Sequence, residues 1–301
     1  MAEINAQLVK QLRDKTGAGM MECKKALVEA NGDMAEAEVI LRKRGLSSAD
    51  KKAGRSTRQG LAGSLVTAGG KLGVLLEVNC ESDFVARTDE FREMVSVLCS
   101  QTAETAPAGV AALLAQPYAA DPSFTVEQWL KSKIAKIGEN MNIARLVRRQ
   151  AAGILGAYVH PGSQLAVLVD LKAGREASYA HPVLLELLHD IAMQVAAADP
   201  RFLSREFVTA ADLEREKDIQ RARALAEGKP EKILDKIVEG RMAKYYEEVC
   251  LLDQPFIKDN SLTVAQLLAE KGKAIGDTFT VAGFHRFKVG ETAPAEETAA
   301  A

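Results

Sequence analysis

The chain has 301 residues, with 39 lysines and arginines against 41 acids for a net charge of -2. That near balance gives no global sign of a nucleic-acid or anionic-membrane partner, and the length suffices for two or three domains. No apolar run reaches membrane-spanning length, and the start Met1-Ala2-Glu3-Ile4-Asn5 lacks the regions of a signal peptide; Cys23, Cys80, Cys99 and Cys250, without C-x-x-C spacing, read as free thiols of a reducing cytosol.

Residues 1–45 read as three short helices. Asn5 caps the first, with Ile4 and Val9 placed as a hydrophobic staple, and Thr16-Gly17-Ala18-Gly19 breaks it. The second covers 20–30, with Met20, Cys23, Ala26, Leu27 and Ala30 at helical spacing. That spacing puts at least one of Met20 and Met21 in the core and leaves the other as a soft contact for a partner. Asp33 followed by Glu36 is a capping pattern for the third helix, which is expected to stop at Gly45. Arg42-Lys43-Arg44 and the run from Lys51 to Arg58 then read as a basic linker.

Residues 63–78 align without a gap on 156–171, with identities at Gly63/Gly156, Val66/Val159, Gly69/Gly162, Leu72/Leu165, Val74/Val167 and Leu75/Leu168. Both copies predict a hairpin with a Gly-containing turn and a more buried second strand, each followed by an apolar helix, so we expect two related subdomains packed together. After the first hairpin comes Cys80-Glu81-Ser82-Asp83-Phe84-Val85, an acid and a large aromatic between strand and helix. The second copy has Lys172-Ala-Gly-Arg-Glu-Ala-Ser there, with no such pair. Phe84 could be a staple on its own helix or an exposed anchor; the absence of the pair from the second copy favours the anchor.

Between the repeats a helix runs through Val126, Trp129, Leu130, Ile134 and Ile137, and 142–150 is strand-like. From Thr209 a charged helix begins with a thin apolar line of Leu213, Ile219, Ala222 and Leu225. Gly228-Lys229-Pro230 stops it, and a second helix carries Ile233, Leu234, Ile237, Val238, Tyr245 and Val249. This predicts a projecting antiparallel helical hairpin. A helix over 264–273 and a strand over 279–289 follow, and 290–301 has too little apolar surface to fold.

Bond-making chemistry has no signature here. G-x-x-x-x-G-K-[ST], H-E-x-x-H and G-x-S-x-G are absent, and Gly17-Ala18-Gly19-Met20-Met21-Glu22 is only part of a dinucleotide fingerprint with no strand before it. His160, His181, His189 and His285 lack metal-ligand spacing. No cofactor and no metal site are expected. The segment 42–58 admits an alternative reading as an RNA-binding or ribosome-associated module, although it lacks interleaved aromatics.

Several blocks together carry a resemblance: Thr16-Gly-Ala-Gly-Met-Met-Glu-Cys-Lys-Lys-Ala-Leu27, Glu77-Val-Asn-Cys-Glu-Ser-Asp-Phe-Val85, Gly138-Glu-Asn-Met-Asn-Ile143, Glu227-Gly-Lys-Pro230, Val238-Glu-Gly-Arg-Met242 and Gln254-Pro-Phe-Ile257. In order and over almost the whole chain, they resemble bacterial elongation factor Ts. Ser82 stands where that family usually has threonine, keeping the hydroxyl, and 174–182 looks longer than usual. The resemblance implies an α+β fold: a three-helix ubiquitin-associated-like domain with its basic linker over 1–54, and a core of two similar α+β subdomains with antiparallel sheets. The core subdomains would cover 55–150 and 151–207 plus 249–289, the latter range including a C-terminal module, with a coiled-coil insertion over 208–248 and a disordered tail over 290–301. The implied function is guanine-nucleotide exchange on elongation factor Tu, GDP-bound and nucleotide-free, in the cytoplasm, without bond chemistry, direct nucleotide binding or nucleic acid. Ser82, Asp83, Phe84 and Val85 would act beside the magnesium site of that GTPase, and Met20 and Met21 would dock the N-terminal domain. The repeat adds the expectation that the second hairpin also meets factor Tu, away from the nucleotide, with His160 at its turn.

Overall fold

The computed structural model describes residues 4–292. Helices α1 (Ala6–Thr16), α2 (Met20–Glu29) and α3 (Met34–Lys52) enclose Leu12, Cys23, Ala26, Leu27 and Ala37. Two start on side-chain caps, Asn5 Oδ1 accepting from Leu8 N at 2.8 Å and Asp33 Oδ1 from Glu36 N at 2.9 Å. The first core unit follows as β1 (Gln59–Val66), β2 (Leu72–Cys80), the single-turn α4 (Asp83–Ala86), α5 (Asp89–Thr105), α6 (Val110–Ala115), β3 (Pro117–Tyr118), β4 (Asp121–Thr125), α7 (Val126–Ile137) and β5 (Met141–Gln150). Next come β6 (Ile154–Val159), β7 (Leu165–Ala173), α8 (Pro182–Ala198), the hairpin of α9 (Ala210–Ala226) and α10 (Leu234–Val249), β8 (Pro255–Phe256), β9 (Asp259–Thr263), α11 (Val264–Ala274) and β10 (Phe279–Lys288). The two larger sheets are antiparallel, ordered β1-β2-β5 and β10-β7-β6. The fold is α+β, as expected.

The repeat is longer than the two hairpins. Through the long helices, first-copy residues recur 93 positions later: Asp89 opens α5 as Pro182 opens α8, and the left-handed C-caps are Ala106 (φ 48, ψ 53) and Asp199 (φ 47, ψ 53). From Pro117 against Pro255 the shift is 138, and the 45 additional residues are accounted for by the α9/α10 hairpin in place of α6. One hydrogen-bonding device appears in both copies. Buried Gln101 donates to Pro117 O at 2.9 Å and accepts from Ala119 N at 3.0 Å; buried Gln194 donates to Pro255 O at 3.2 Å and accepts from Ile257 N at 2.8 Å. In each case the amide joins the long helix to the short ribbon, β3/β4 or β8/β9. The ribbons lead into identical Thr-to-Gln capping boxes, Thr125 with Gln128 and Thr263 with Gln266.

Strand alternation distributes the core. Val74, Leu76, Val78 and Cys80 of β2 pack with Phe91, Met94, Val95 and Leu98 of α5, and Val167, Val169 and Leu171 of β7 pack with Leu187, Ile191 and Val195 of α8. The opposite faces meet each other through Ala62, Leu75, Leu155, Ala166, Leu168 and Phe287. Gly73 is required at this meeting, because a Cβ there would lie 2.8 Å from Leu168 Cδ1. The same faces bury two acids. Glu77 accepts from Arg145 Nε at 2.7 Å and Gly290 N at 2.9 Å; Asp170 accepts from Ala152 N at 2.8 Å and Gly153 N at 3.0 Å, with Arg149 Nη2 at 3.3 Å.

Three expectations are corrected. α3 passes through Gly45 and ends at Lys52, so much of the basic linker is helical; a Cβ on Gly45 would lie 3.3 Å from Ala135 Cβ of α7. Close packing of α3 on α7 offsets a glycine's helix penalty of about 1 kcal/mol. In the helical hairpin, Ile219, Ala222 and Leu225 point to solvent, while Leu213, Glu216, Gln220 and Ala224 follow the 3.6-residue period towards α10. The tail is ordered at its start: Gly290 N donates to Glu77, and Glu291 pairs with Arg286 at 3.0 Å and Arg145 at 3.4 Å. The rest of it, 293–301, lies outside the described residues.

Two measurements check this packing. Gln194→Ala takes the side-chain partner from Pro255 O and Ile257 N in a partly buried joint, so urea unfolding should show a loss of about 1–2 kcal/mol. His285 on β10 is held below the ordinary imidazole value of 6.5 by burial and by the Arg149 charge. Its unfolded form therefore binds the proton more tightly, and the stability it contributes is complete above about pH 6.5 and lost as pH falls towards its folded value. The melting-temperature difference between His285→Asn and the unsubstituted protein should accordingly shift in favour of the variant as pH drops below about 6.5.

Candidate partner-binding turn

β2 delivers the chain to a turn tied down on both sides. Ser82 caps α4, its Oγ accepting from Val85 N at 3.3 Å. The Glu139 carboxylate accepts from Ser82 N at 2.9 Å and from Ser82 Oγ at 2.5 Å. Next to it, Asn140 N donates to Glu81 Oε1 at 2.6 Å, and Asn140 Nδ2 donates to Ala53 O at 3.3 Å and Arg55 O at 2.9 Å. Three segments, 53–55, 81–82 and 139–140, are thereby stitched together. Beneath them Cys80 donates its thiol to Ser82 O at 3.1 Å; burial, followed by the Glu139 charge, pushes that thiol up to about 12 and keeps it protonated.

On this base Ala86 is buried, Val85 packs against the first core, and Phe84 is 80% exposed. The staple reading of Phe84 fails, since a staple would be covered by its own helix. Asp83 lies beside it, paired with Arg87 at 2.8 Å. An exposed pair of this kind is worth about 0–1 kcal/mol, so Asp83 can exchange partners at little cost. α5 then starts on Thr88, whose Oγ1 accepts from Phe91 N at 3.2 Å. Glu90 in its first turn receives Lys136 at 2.8 Å and Lys133 at 3.0 Å, which hold its carboxyl below the ordinary range and anchor α7 beside the turn.

The second copy has a turn in the matching place. A short helix over Glu176–Ala180 leads to His181, which caps α8 through Nδ1 as Thr88 caps α5. The exposed position equivalent to Phe84 is Ala177. The peptide scaffold is thus repeated and the aromatic is not.

The other expected contacts lie elsewhere. Met20 and Met21 stand at the start of α2, 43% and 64% exposed, and neither enters the core; Cys23, Ala26 and Leu27 fill it instead. The first turn overhangs that small core, so helical spacing alone misplaces Met20. Met21 and Val28 line a shallow surface groove with Lys24, Lys25 and Glu29. His160 is exposed in the β6/β7 turn, its Nδ1 2.9 Å from Tyr158 Oη. In the basic segment Arg42 donates to Ser123 O at 3.0 Å and stacks on Phe124, Arg44 pairs with Glu29, and Arg55 reaches Glu81 at 3.4 Å. These intramolecular uses give the RNA reading no support.

Comparison with known proteins agrees with the blocks seen in the sequence. The family model described as elongation factor TS matches residues 81–291, beginning at Glu81 on the turn. The chain belongs to this family. Elongation factor Ts of Clostridium novyi (strain NT) is 46% identical over 289 residues, covering 96% of this chain and 93% of the relative. Its counterpart in Trichlorobacter lovleyi is 44% identical with the same coverage. That of Nitratidesulfovibrio vulgaris (strain DP4) is 43% identical over 298 residues, covering 98% and 99%. The role of the chain is accordingly that of a translation elongation factor in protein biosynthesis. No helix among the described residues is long and apolar enough to cross a membrane, and no cluster of three or more metal-binding side chains occurs among them.

Sequence reading missed Glu139 and Asn140 as parts of the turn. Both lie in Gly138-Glu-Asn-Met-Asn-Ile143, a block noted only for its resemblance. The signal was in the longer repeat: Gly138 (φ 91) precedes Glu139 as Gly276 (φ 68) precedes Asp277. Asp277 in turn accepts from Arg175 N at 3.2 Å, matching the bond from Ser82 N.

The exposure of Phe84 fixes a stability expectation. Phe84→Ala should change unfolding free energy by less than about 0.5 kcal/mol, whereas Ser82→Ala, which removes the α4 cap, should cost about 1 kcal/mol. Urea titration of both variants is the check.

Proposed function

We propose that the protein is a guanine-nucleotide exchange factor for elongation factor Tu, binding its GDP-bound and nucleotide-free forms in the cytoplasm. The observation that carries this reading is Phe84, an aromatic 80% exposed on a turn tied from both sides, within the span matched by the family. Burying a large aromatic supplies binding energy, and a rigid base lets that energy displace elements of the partner instead of reordering the turn. Phe84 wedges into the nucleotide-binding domain beside the magnesium site. Asp83, released from Arg87, competes there for hydrogen bonds or repels nearby acids. Magnesium ties the nucleotide phosphates to a GTPase, so shifting the elements that hold it loosens GDP. No bond is made or broken, and this chain needs no nucleotide or metal site of its own.

In this reading the helical unit over 1–54 docks through Met20 and Met21, whose unbranched thioethers adapt to a partner surface. The core units over 55–150 and 151–207 plus 249–289 present one turn each: Ser82, Asp83, Phe84 and Val85 at the nucleotide, and His160 at a second surface that contributes binding alone.

Release of a fluorescent GDP analogue from purified elongation factor Tu tests the proposal. The protein should accelerate release, and Phe84→Ala should lower the saturating rate about thirtyfold, corresponding to a hot-spot loss of about 2 kcal/mol. His160→Ala, and Met20→Lys combined with Met21→Lys, should instead raise the half-saturating concentration about tenfold with the plateau near normal. No acceleration by the unsubstituted protein sinks the proposal. A depressed plateau in His160→Ala overturns the division of labour.

A further inference from the structure

We infer that Glu139 is a positioning residue for exchange: by holding Ser82 at both its backbone N–H and its hydroxyl, its carboxylate fixes the direction in which Phe84 leaves the surface. The inference rests on the exchange reading of the turn and names a residue that acts through it.

α4 has four residues, and a single turn of helix is unstable by itself, because nucleation fixes several dihedral angles for one hydrogen bond. Phe84 is too exposed to be oriented by packing of its ring. Its direction therefore depends on what holds the backbone of α4. Ser82 Oγ accepts the Val85 N–H and donates to Glu139 Oε1 at 2.5 Å, while Glu139 Oε2 takes the Ser82 N–H at 2.9 Å. A charged acceptor makes both bonds stronger than neutral ones. Glu139 is itself fixed between Gly138, the left-handed C-cap of α7, and Asn140, bonded to Glu81, Ala53 and Arg55.

The second copy separates scaffold from specialisation. There Asp277 accepts from Arg175 N at 3.2 Å, so the bond from an acid to the first N–H of the turn is common to both. The bond from the hydroxyl of the capping residue itself is not: position 175 is arginine, whose side chain donates to Ile275 O at 2.6 Å, Asp277 takes its hydroxyl hydrogen bond from Ser178 within the turn, and that turn exposes Ala177. The hold of one carboxylate on both the N–H and the hydroxyl of the same capping residue occurs in the copy that has an aromatic to aim. A displacement of about 1 Å in a positioned group can cost up to about a hundredfold in rate, which sets the scale expected of a loosened Phe84.

The test compares variants in two assays. In the isolated protein, amide hydrogen exchange at Ser82 and Val85 should quicken at least about tenfold in Glu139→Ala. In release of the GDP analogue from elongation factor Tu, Glu139→Ala should lower the saturating rate about tenfold, with partial recovery in Glu139→Gln, which keeps an acceptor. Added to Phe84→Ala, Glu139→Ala should lower that rate no further, since the two act as one unit. Asp277→Ala, cutting the equivalent bond in the other copy, should leave the rate within about twofold. Unchanged exchange at Ser82 and Val85, an equal loss in the Phe84→Ala background, or an equal loss from Asp277→Ala each overturns the inference. If Glu139→Ala does not fold, Ser82→Ala is judged by the same criteria. If the unsubstituted protein does not release GDP, the exchange reading fails on its own, and the hydrogen-exchange result decides whether Glu139 orders the turn.

Discussion

Two antiparallel sheets can lie face to face only if the facing residues leave room and no charge is stranded between them. Ala62, Gly73 and Ala166 supply the room, while Leu75, Leu155, Leu168 and Phe287 fill the remainder. The same strands bury Glu77 and Asp170, and the structure tolerates these acids because each is given at least one backbone N–H donor and an arginine. Removing one partner of such a group is far more damaging than the bond's net value suggests, since an uncompensated buried charge remains. Gly290 completes the Glu77 set, so the end of the second unit closes on the first. With both inner faces committed to each other, the long helices cover the outer faces and the strand-end turns are left at the surface.

This arrangement lets one scaffold present two different turns. The gapless shift of 93 residues, carrying Gly63 to Ala106 onto Gly156 to Asp199, keeps the run from hairpin through connecting turn to the end of the long helix the same length in both copies. Gly63 and Gly156 even serve the same purpose: a Cβ there would lie 2.4 Å from Val95 Cγ1 and 2.5 Å from Leu188 Cγ. Against this shared background the differences fall at the turn to which the exchange proposal assigns the function. One turn has Ser82, Asp83 and Phe84; the other has Arg175, Glu176 and Ala177, with Arg175 turned back onto the body. The helical insertion replaces α6 in one copy and leaves the joint around it intact, because Gln194 still reaches the ribbon beyond the insertion.

Features governed by local chemistry were legible in the sequence. The helix starts at Asn5, Asp33 and Thr209, the hairpins, and the stop at Gly228 all follow from residues acting on their immediate neighbours. What remained hidden was governed by contacts distant along the chain. Gly45 looks like a helix end unless Ala135 is known to press against it. Met20 looks like core unless the small size of that core is known. Ile219 and Leu225 look like a packing line until the period of α10, through Leu234, Val238, Met242 and Tyr245, selects a different face of α9. The exposure of Phe84 was foreseen as one of two options, and the repeat argument pointed towards it; its support by Glu139, 57 positions beyond Ser82 and past α7 in the same copy, needed three-dimensional placement or the full repeat. The insertion concealed that repeat by changing its shift from 93 to 138.

The central claim is that binding of this protein and binding of GDP to elongation factor Tu oppose each other through one coupled site. Linkage makes the effect reciprocal, so the two ligands must weaken each other by the same factor. Calorimetric titration of this protein into elongation factor Tu, with and without GDP, measured alongside the GDP affinity with and without this protein, tests it most directly. The account predicts that both affinities fall, by equal factors of about tenfold or more. An affinity for this protein that GDP leaves unchanged would contradict it.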